Sequence, residues 1–154
     1  MADGRGGGIS TVLLGTLLLV AALAFVGCDA EPAADGGAGS LSSGDRVINS
    51  EPEMAQVPGQ DVAAQGVRVQ HVAADEGFWV DLVGGRVWVT LAGPGESPYT
   101  VRDGDLISFR GKVIAHNADY PNGLGMCSQG DYDALAAQTT HIDVPMDSLS
   151  FGVG

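Results

Sequence analysis

Apolar and polar residues alternate over much of the last 93 positions of the chain, as they do in β-strands with one buried face. The clearest signal is a pair of such runs, Phe78–Leu82 and Arg86–Leu91, separated by a glycine-containing turn. A two-residue turn at 84–85 places Val80 opposite Val89, so that inward residues meet inward residues. This pattern predicts a β-hairpin.

Two further strands flank this hairpin in the sequence. Val67 and Val69 share the inward face of the first strand, and His71 interrupts its alternation, which indicates a β-bulge near the strand end. The long strand over 106–116 carries Gly111 on its inward face, where a strongly bent barrel strand requires a missing side chain.

A short helix and a last strand complete the pattern. The helix is predicted over Tyr132–Gln138 with Asp131 as its N-cap, and the strand over Thr140–Val144, ended by Pro145. Five strands with one short helix predict an all-β fold, a small closed barrel occupying 62–154.

This arrangement resembles the OB-fold, and in particular the OB-like domains of small exported bacterial lipoproteins, whose function is mostly unassigned. The resemblance rests on three runs: GFWVDLVGGRVWVTL at 77–91, VRDGDLISFRGKVIAHN at 101–117 and HIDV at 141–144. The chain departs from the family because its helix precedes the fifth strand instead of the fourth. An SH3-like barrel and a small open sandwich are the alternative folds.

The N-terminus carries an apolar segment of a kind that directs export or anchoring. Residues 9–26 form eighteen positions without a charge, preceded by Arg5. A secretory apolar region usually runs about 7 to 15 residues and a membrane-spanning helix needs about 20, so the length alone fits either.

The four residues that follow resemble a bacterial lipobox: Phe25, Val26, Gly27 and Cys28. The resemblance implies cleavage of a signal peptide 1–27 and attachment of lipid acyl chains such as palmitate at Cys28. Phe25 departs from the family, which prefers Leu there. The alternative is an uncleaved single-pass anchor formed by the 9–26 helix. Both predict the extracytoplasmic face of a bacterial cell membrane.

Residues 28–61 have the composition of a disordered, acidic linker. From Asp29 to Asp61 the chain is rich in Ala, Gly, Ser and Pro, with seven carboxylates, Arg46 as the one base and no aromatic residue. Such a segment buries too little apolar surface to offset its chain entropy. It is predicted to tether the barrel to the membrane.

The charge balance limits the classes of partner. The formal net charge is -12, and ten acids against five bases give -5 between Val62 and Val144. Nucleic acid is therefore disfavoured as a partner, because attraction to phosphate backbones needs clustered Lys and Arg.

Two tryptophans provide the candidate ligand-binding surface. In OB barrels the outer face of the second and third strands usually binds the ligand, and exposed aromatic rings there stack on bases or sugars. Trp79 and Trp88 fall on that predicted face. The candidate ligand-binding residues are Trp79, Trp88, Arg68 and Arg86, with Arg110 and Lys112 as further basic residues at its border. Alternatively, the two indoles cover each other, or lie under the linker or under 146–154.

Motifs for catalysis are absent from the sequence, which contains no G-x-S-x-G, H-E-x-x-H or C-x-x-C. No catalytic residue, cofactor or metal site is predicted. A zinc site formed by His71, His116 and His141 is the alternative, although their spacing matches no local ligand motif. Cys127 is expected to be a partly buried free thiol, with a disulfide to Cys28 open only if lipidation fails.

The sequence therefore predicts a non-catalytic, monomeric binding or interaction module, tethered to the membrane through Cys28 or the 9–26 helix. An envelope protein or glycan is the expected partner. The alternatives are a metal-dependent or other enzyme site at the barrel mouth, a nucleic-acid-binding OB domain, and an envelope lipoprotein with a purely structural role.

Overall fold

Eight strands and two short α-helices make up the part of the chain that the computed structural model describes, residues 38–152. The N-terminal apolar segment and Cys28 lie outside it. Within residues 38–152, neither helix is long and apolar enough to cross a membrane. The elements are β1 (Leu41–Ser43), β2 (Arg46–Ile48), α1 (Glu51–Met54), β3 (Asp61–Ala74), β4 (Gly77–Leu82), β5 (Gly85–Ala92), β6 (Leu106–Ala115), α2 (Gln129–Ala137), β7 (Thr140–Pro145) and β8 (Leu149–Phe151).

Five of these strands close into a barrel. They follow one another in the order β3-β4-β5-β7-β6, and β6 pairs with β3 to complete the ring. The β5–β7 pair is parallel, and the other four pairs are antiparallel. The predicted all-β class, with a closed five-stranded barrel and one short helix, is thus confirmed. The additions to it are the β1–β2 hairpin, the single turn α1 and the edge strand β8.

The inward face of the barrel follows the alternation seen in the sequence. Phe78, Val80, Val87 and Val89 are buried, as the hairpin pattern predicts. They belong to one continuous core that fills the barrel. Other buried barrel residues of this core include Val67, Val69, Ile107, Phe109, Val113, Ile142 and Val144.

Gly111 lies where the sequence predicts a missing side chain. A Cβ at this position would stand 2.6 Å from the backbone oxygen of Asp143 and 2.7 Å from Cγ2 of Ile142. Both distances are shorter than real Cβ contacts, so β6 approaches β7 this closely only because position 111 is glycine.

The predicted register of the β4–β5 hairpin is wrong by two residues. Leu82 pairs with Gly85, so the turn is formed by Val83 and Gly84, and Val80 pairs with Val87 instead of Val89. The faces remain as predicted because side chains alternate with a period of two. The turn is fixed from outside the hairpin, since the amide of Gly84 donates to the Asn49 carbonyl at 2.8 Å.

The predicted boundary between linker and barrel is also wrong. The structure shows that 41–61, assigned above to the disordered linker, forms β1, β2, α1 and the start of β3. Leu41, Ile48 and Met54 are each fully buried in the barrel core. Burial of these three apolar side chains stabilises the segment in its folded form, although its average composition is that of a disordered chain. Residues 28–37 lie outside the described part.

Strand β3 is longer than predicted because it serves two neighbours. Its first half pairs with β6 and its second half with β4. A register shift between Ala64 and Val67 contains Gly66, whose φ of +59° belongs to the left-handed region that glycine adopts readily. The irregularity predicted near His71 is confirmed by a second shift between Val69 and His71.

Helix α2 starts three residues earlier than predicted. Its N-cap is Ser128, whose Oγ accepts a hydrogen bond from the amide of Asp131 at 3.1 Å. Asp131 therefore lies in the first turn and is not the cap. This shift leaves its carboxylate free to contact the barrel.

Candidate binding groove

The two tryptophans predicted to bind ligand are buried. Trp79 and Trp88 are direct partners across β4 and β5, and each is 0 % exposed. Their rings meet edge to face, with centroids 5.1 Å apart and planes at 70°. The prediction of an exposed stacking surface is therefore wrong.

Helix α2 and the 3₁₀ turn Tyr120–Gly123 cover this face. Leu135 of α2 joins the two indoles in a second, smaller core, which Leu124 and Met126 also contact. Gly77 is required beside them, because a Cβ there would overlap the ring of Trp88. The cover comes from the segment between β6 and β7, not from the linker or the C-terminal residues.

Both indole N–H groups have acceptors inside the protein. Nε1 of Trp79 donates to the buried carboxylate of Asp131 at 2.8 Å, and Nε1 of Trp88 donates to Oγ1 of Thr90 at 2.9 Å. The same Thr90 hydroxyl contacts the Tyr120 hydroxyl at 2.8 Å. Buried tryptophan normally needs such a partner, so these bonds fit a structural role.

The two candidate arginines lie in different places. The guanidinium of Arg86 stands 4.1 Å above the centre of the Trp79 ring and 3.3 Å from Asp131. Arg68 instead donates to the backbone carbonyl of Gly104 at 3.3 Å. The structure thus brings Trp79, Trp88 and Arg86 together under α2, and leaves Arg68 outside that group.

His71 belongs to the same buried network as Asp131. Its Nε2 lies 3.4 Å from Asp131, and its Nδ1 lies 3.3 Å from Asp103 in the loop before β6. Ser128 donates a further bond of 2.6 Å to Asp131. One carboxylate on α2 is thereby connected to β3, β4 and β5.

His116 and His141 form a separate pair at the ends of β6 and β7. Their Nδ1 atoms are 2.8 Å apart. Nε2 of His141 lies 3.0 Å from Asp143, and Nε2 of His116 lies 3.3 Å from the carbonyl of Leu135. The Tyr120 ring stacks on both imidazoles, with centroid distances of 4.1 and 4.6 Å.

The hydrogen-bond partners of this pair limit its tautomers. The Asp143 carboxylate and the Leu135 carbonyl only accept, so each is satisfied by a proton on the Nε2 atom that faces it. A single proton between the two Nδ1 atoms makes one of them the donor and the other the acceptor.

Burial changes the pKa values in this stack. It lowers the pKa of His141 below its usual 6.5, an effect that the Asp143 charge opposes and the His116 charge reinforces. Burial also raises the pKa of Tyr120 above 10, against the hydrogen bond to Thr90. At neutral pH the Tyr120 phenol is therefore protonated, and His141 resists taking up a second proton.

The three histidines do not meet in one site. His116 and His141 contact each other, whereas His71 is bonded to Asp103 and Asp131. Among residues 38–152, no group of three or more His, Cys, Asp or Glu side chains is placed to hold a metal ion.

Cys127 differs from its expected state. It is exposed and disulfide-bonded, so the prediction of a partly buried free thiol is wrong. The sequence contains one other cysteine, Cys28, which lies outside the described residues.

A groove crosses the outer face of β3, β6 and β7. Its volume is about 560 Å³, and it reaches from the turn after β1 to the residues after β7. Strand β6 contributes two exposed basic side chains to it, Arg110 and Lys112. Its lining includes Ala63, Arg110, Lys112, Ile114 and Asp143.

The two basic side chains of the groove differ in their surroundings. Lys112 lies 3.6 Å from the carboxylate of Asp61, whereas the Arg110 side chain makes no hydrogen bond or ion pair with any residue of the described part. The sequence placed both at the border of the tryptophan face. The alternation of side chains along β6 predicts that both residues point outward. Which outer face they share depends on the pairing of β6 with β3, which closes the barrel.

Scans against protein-family models, curated proteins and solved structures find no match to this chain. The groove, the buried tryptophan cluster and the histidine pair are thus the features from which a function can be argued.

Proposed function

We propose that the protein is a non-catalytic binding module, tethered to the extracytoplasmic face of a bacterial membrane, with its ligand site in the groove on β3, β6 and β7. The observation that carries the proposal is the groove itself. Its volume of about 560 Å³ lies within the range of about 300 to 1,000 Å³ typical of small-ligand sites. It also contains an arginine with no partner among the described residues.

An OB-fold interpretation supports this choice of face. A closed five-stranded barrel with one parallel pair, β5–β7, fits that fold. The outer face of the second and third barrel strands, where OB domains usually bind, is here occupied by α2 and the buried indoles. Binding on the outer face of the first, fourth and fifth barrel strands is then the alternative that remains open to solvent.

The tether is proposed from the apolar segment 9–26 and the lipobox-like residues ending at Cys28. Lipidation and a disulfide exclude each other there, because both use the Sγ atom of Cys28. Cys127 is disulfide-bonded, and the chain has two cysteines, so lipidation and disulfide formation compete for Cys28.

Intact mass of the membrane-extracted full chain distinguishes the two states. Loss of 1–27 with a gain of diacylglycerol, abolished by Cys28→Ala, supports the lipid anchor. Retention of 1–27 with a mass increase of two hydrogens on reduction identifies an uncleaved anchor joined to Cys127, and overturns the lipid anchor.

Groove binding is tested with the full chain in lipid nanodiscs and two fluorinated probes, 4-(trifluoromethyl)phenylacetate and the neutral 2-[4-(trifluoromethyl)phenyl]ethanol. We expect ¹⁹F line broadening beyond that of empty nanodiscs for at least one probe. Ala63→Trp, which fills the groove, abolishes the excess broadening, while Ala137→Trp at the exposed end of α2 preserves it. Absence of excess broadening for both probes rejects the groove as the site.

A further inference from the structure

We infer that the groove takes a small amphipathic carboxylic acid, held through its carboxylate by Arg110 and through its apolar body by the floor of the groove. This inference rests on the proposed function and specifies the ligand class for the same site. It is carried by the distribution of charge and apolar surface among the lining residues.

The Arg110 side chain makes no ion pair with any residue of 38–152. Its side chain is exposed, and its partner across to β3 is Ala63. The neighbouring outward residues on its own strand are Ser108 and Lys112, neither of which is acidic. An arginine fork binds the two oxygens of a carboxylate in a planar, bidentate arrangement.

The other charges of the groove are already balanced. Lys112 stands 3.6 Å from Asp61 and is paired in register with Asp143. Asp143 in turn accepts a bond of 3.0 Å from His141. Arg110 is therefore the basic side chain of the groove that has no ion pair among the described residues.

The charge of the whole chain restricts the ligand further. A net charge of -12 repels polyanions at long range, so phosphate polymers are poor candidates. A molecule with a single negative charge experiences little of this repulsion while still meeting Arg110 at contact.

Apolar residues supply a surface for the rest of the ligand. Ala63 of β3, Ile114 of β6, and Ala92 and Pro145 line the same groove with partly or fully exposed side chains. An apolar body with one charged end matches this combination of an apolar lining and a basic side chain that has no ion pair among the described residues.

The affinities of the two fluorinated probes test the inference, because they differ in charge and little in shape. We expect the wild-type chain in nanodiscs to bind the phenylacetate about tenfold more tightly than the alcohol. Arg110→Ala removes this preference. Arg102→Ala is the matched control, since Arg102 is an exposed arginine outside the groove and its loss changes the net charge equally.

The outcomes separate the inference from the proposed function. Equal binding of acid and alcohol, or an unchanged preference in Arg110→Ala, overturns the carboxylate ligand while the groove stands. If neither probe binds, both the groove as the ligand site and the carboxylate ligand are rejected. A third probe, the tripeptide N-acetyl-Ala-Ala-Phe with its free carboxylate, tests a peptide terminus as occupant. Binding of this peptide about tenfold more tightly than the phenylacetate overturns the small acid.

Discussion

At the scale of single residues, the paired imidazoles are where protonation most directly affects the fold. His141 contacts His116, the carboxylate of Asp143 and the ring of Tyr120. Its pKa is lowered mainly by burial. The folded state thus binds fewer protons at this site than the unfolded state does at mildly acidic pH.

This difference in bound protons predicts that the fold becomes less stable as the pH falls. The contribution of His141 to stability is complete above its unfolded pKa of 6.5 and is lost as pH falls through the lower folded value. Urea midpoints of the full chain, compared at about pH 7.5 and about pH 5, should decrease with acidification. His141→Gln should flatten that decrease. A variant with the wild-type pH dependence would assign the effect to other groups.

Gly111 gives a second prediction at this scale. Gly111→Ala should destabilise the fold by about 1–3 kcal/mol, because the added Cβ meets the β7 backbone. Gly123→Ala is the control, since its Cβ has no atom within 4 Å and its φ is not positive. Urea denaturation of both variants measures the difference. Equal stability of the two would show that β6 and β7 separate without cost.

Gly111 and Trp79 show which features of the fold the sequence can predict. The inward position of Gly111 follows from the alternation of side chains along β6 alone. The burial of Trp79 did not, because it depends on where α2 packs, and α2 is separated from β4 by more than forty residues. The histidine pair was similarly hidden, since strand pairing brings His116 and His141 together across the intervening helix.

At the scale of elements, the β1–β2 hairpin changes the boundary of the folded unit. Ile48→Ala should cost about 2–4 kcal/mol, because Ile48 is fully buried in the core. Val47→Ala should stay within about 0.5 kcal/mol, because the adjacent Val47 is 57 % exposed. Urea denaturation of both variants measures the two changes in the free energy of unfolding. If neither substitution lowers this free energy, the segment is the disordered linker that the composition predicts.

Helix α2 depends on the carboxylate of Asp131 for its attachment. Asp131→Ala removes the acceptor of the Trp79 N–H and the carboxylate beside the Arg86 guanidinium, which should cost about 1–3 kcal/mol. We expect tryptophan emission to shift to longer wavelength as α2 loosens over the indoles. Asp133→Ala, on the exposed side of the same helix, should leave the spectrum unchanged. An unshifted spectrum in Asp131→Ala would show that apolar packing alone holds α2.

At the scale of the whole molecule, the closed barrel was predictable because alternation and turn residues act locally along each strand. The closing pair β3–β6 and the parallel pair β5–β7 join strands distant in sequence. They decide which outer face α2 covers and which faces solvent. The sequence therefore indicated Arg110 and Lys112 as surface residues without indicating the groove that they share.

The attachment of the N-terminal part to the barrel has a mechanical consequence. The backbone at Gly39 bonds to Asp81 and Val83, and β1 then pairs directly with β3 at Ala63, a groove residue. In a domain tethered through its N-terminal part, tension between the membrane and a ligand in the groove would enter at Gly39 and β1, whose partners are β4 and β3, and would reach the ligand through β3 and β6. Pulling on the tether would therefore act directly on the proposed ligand site.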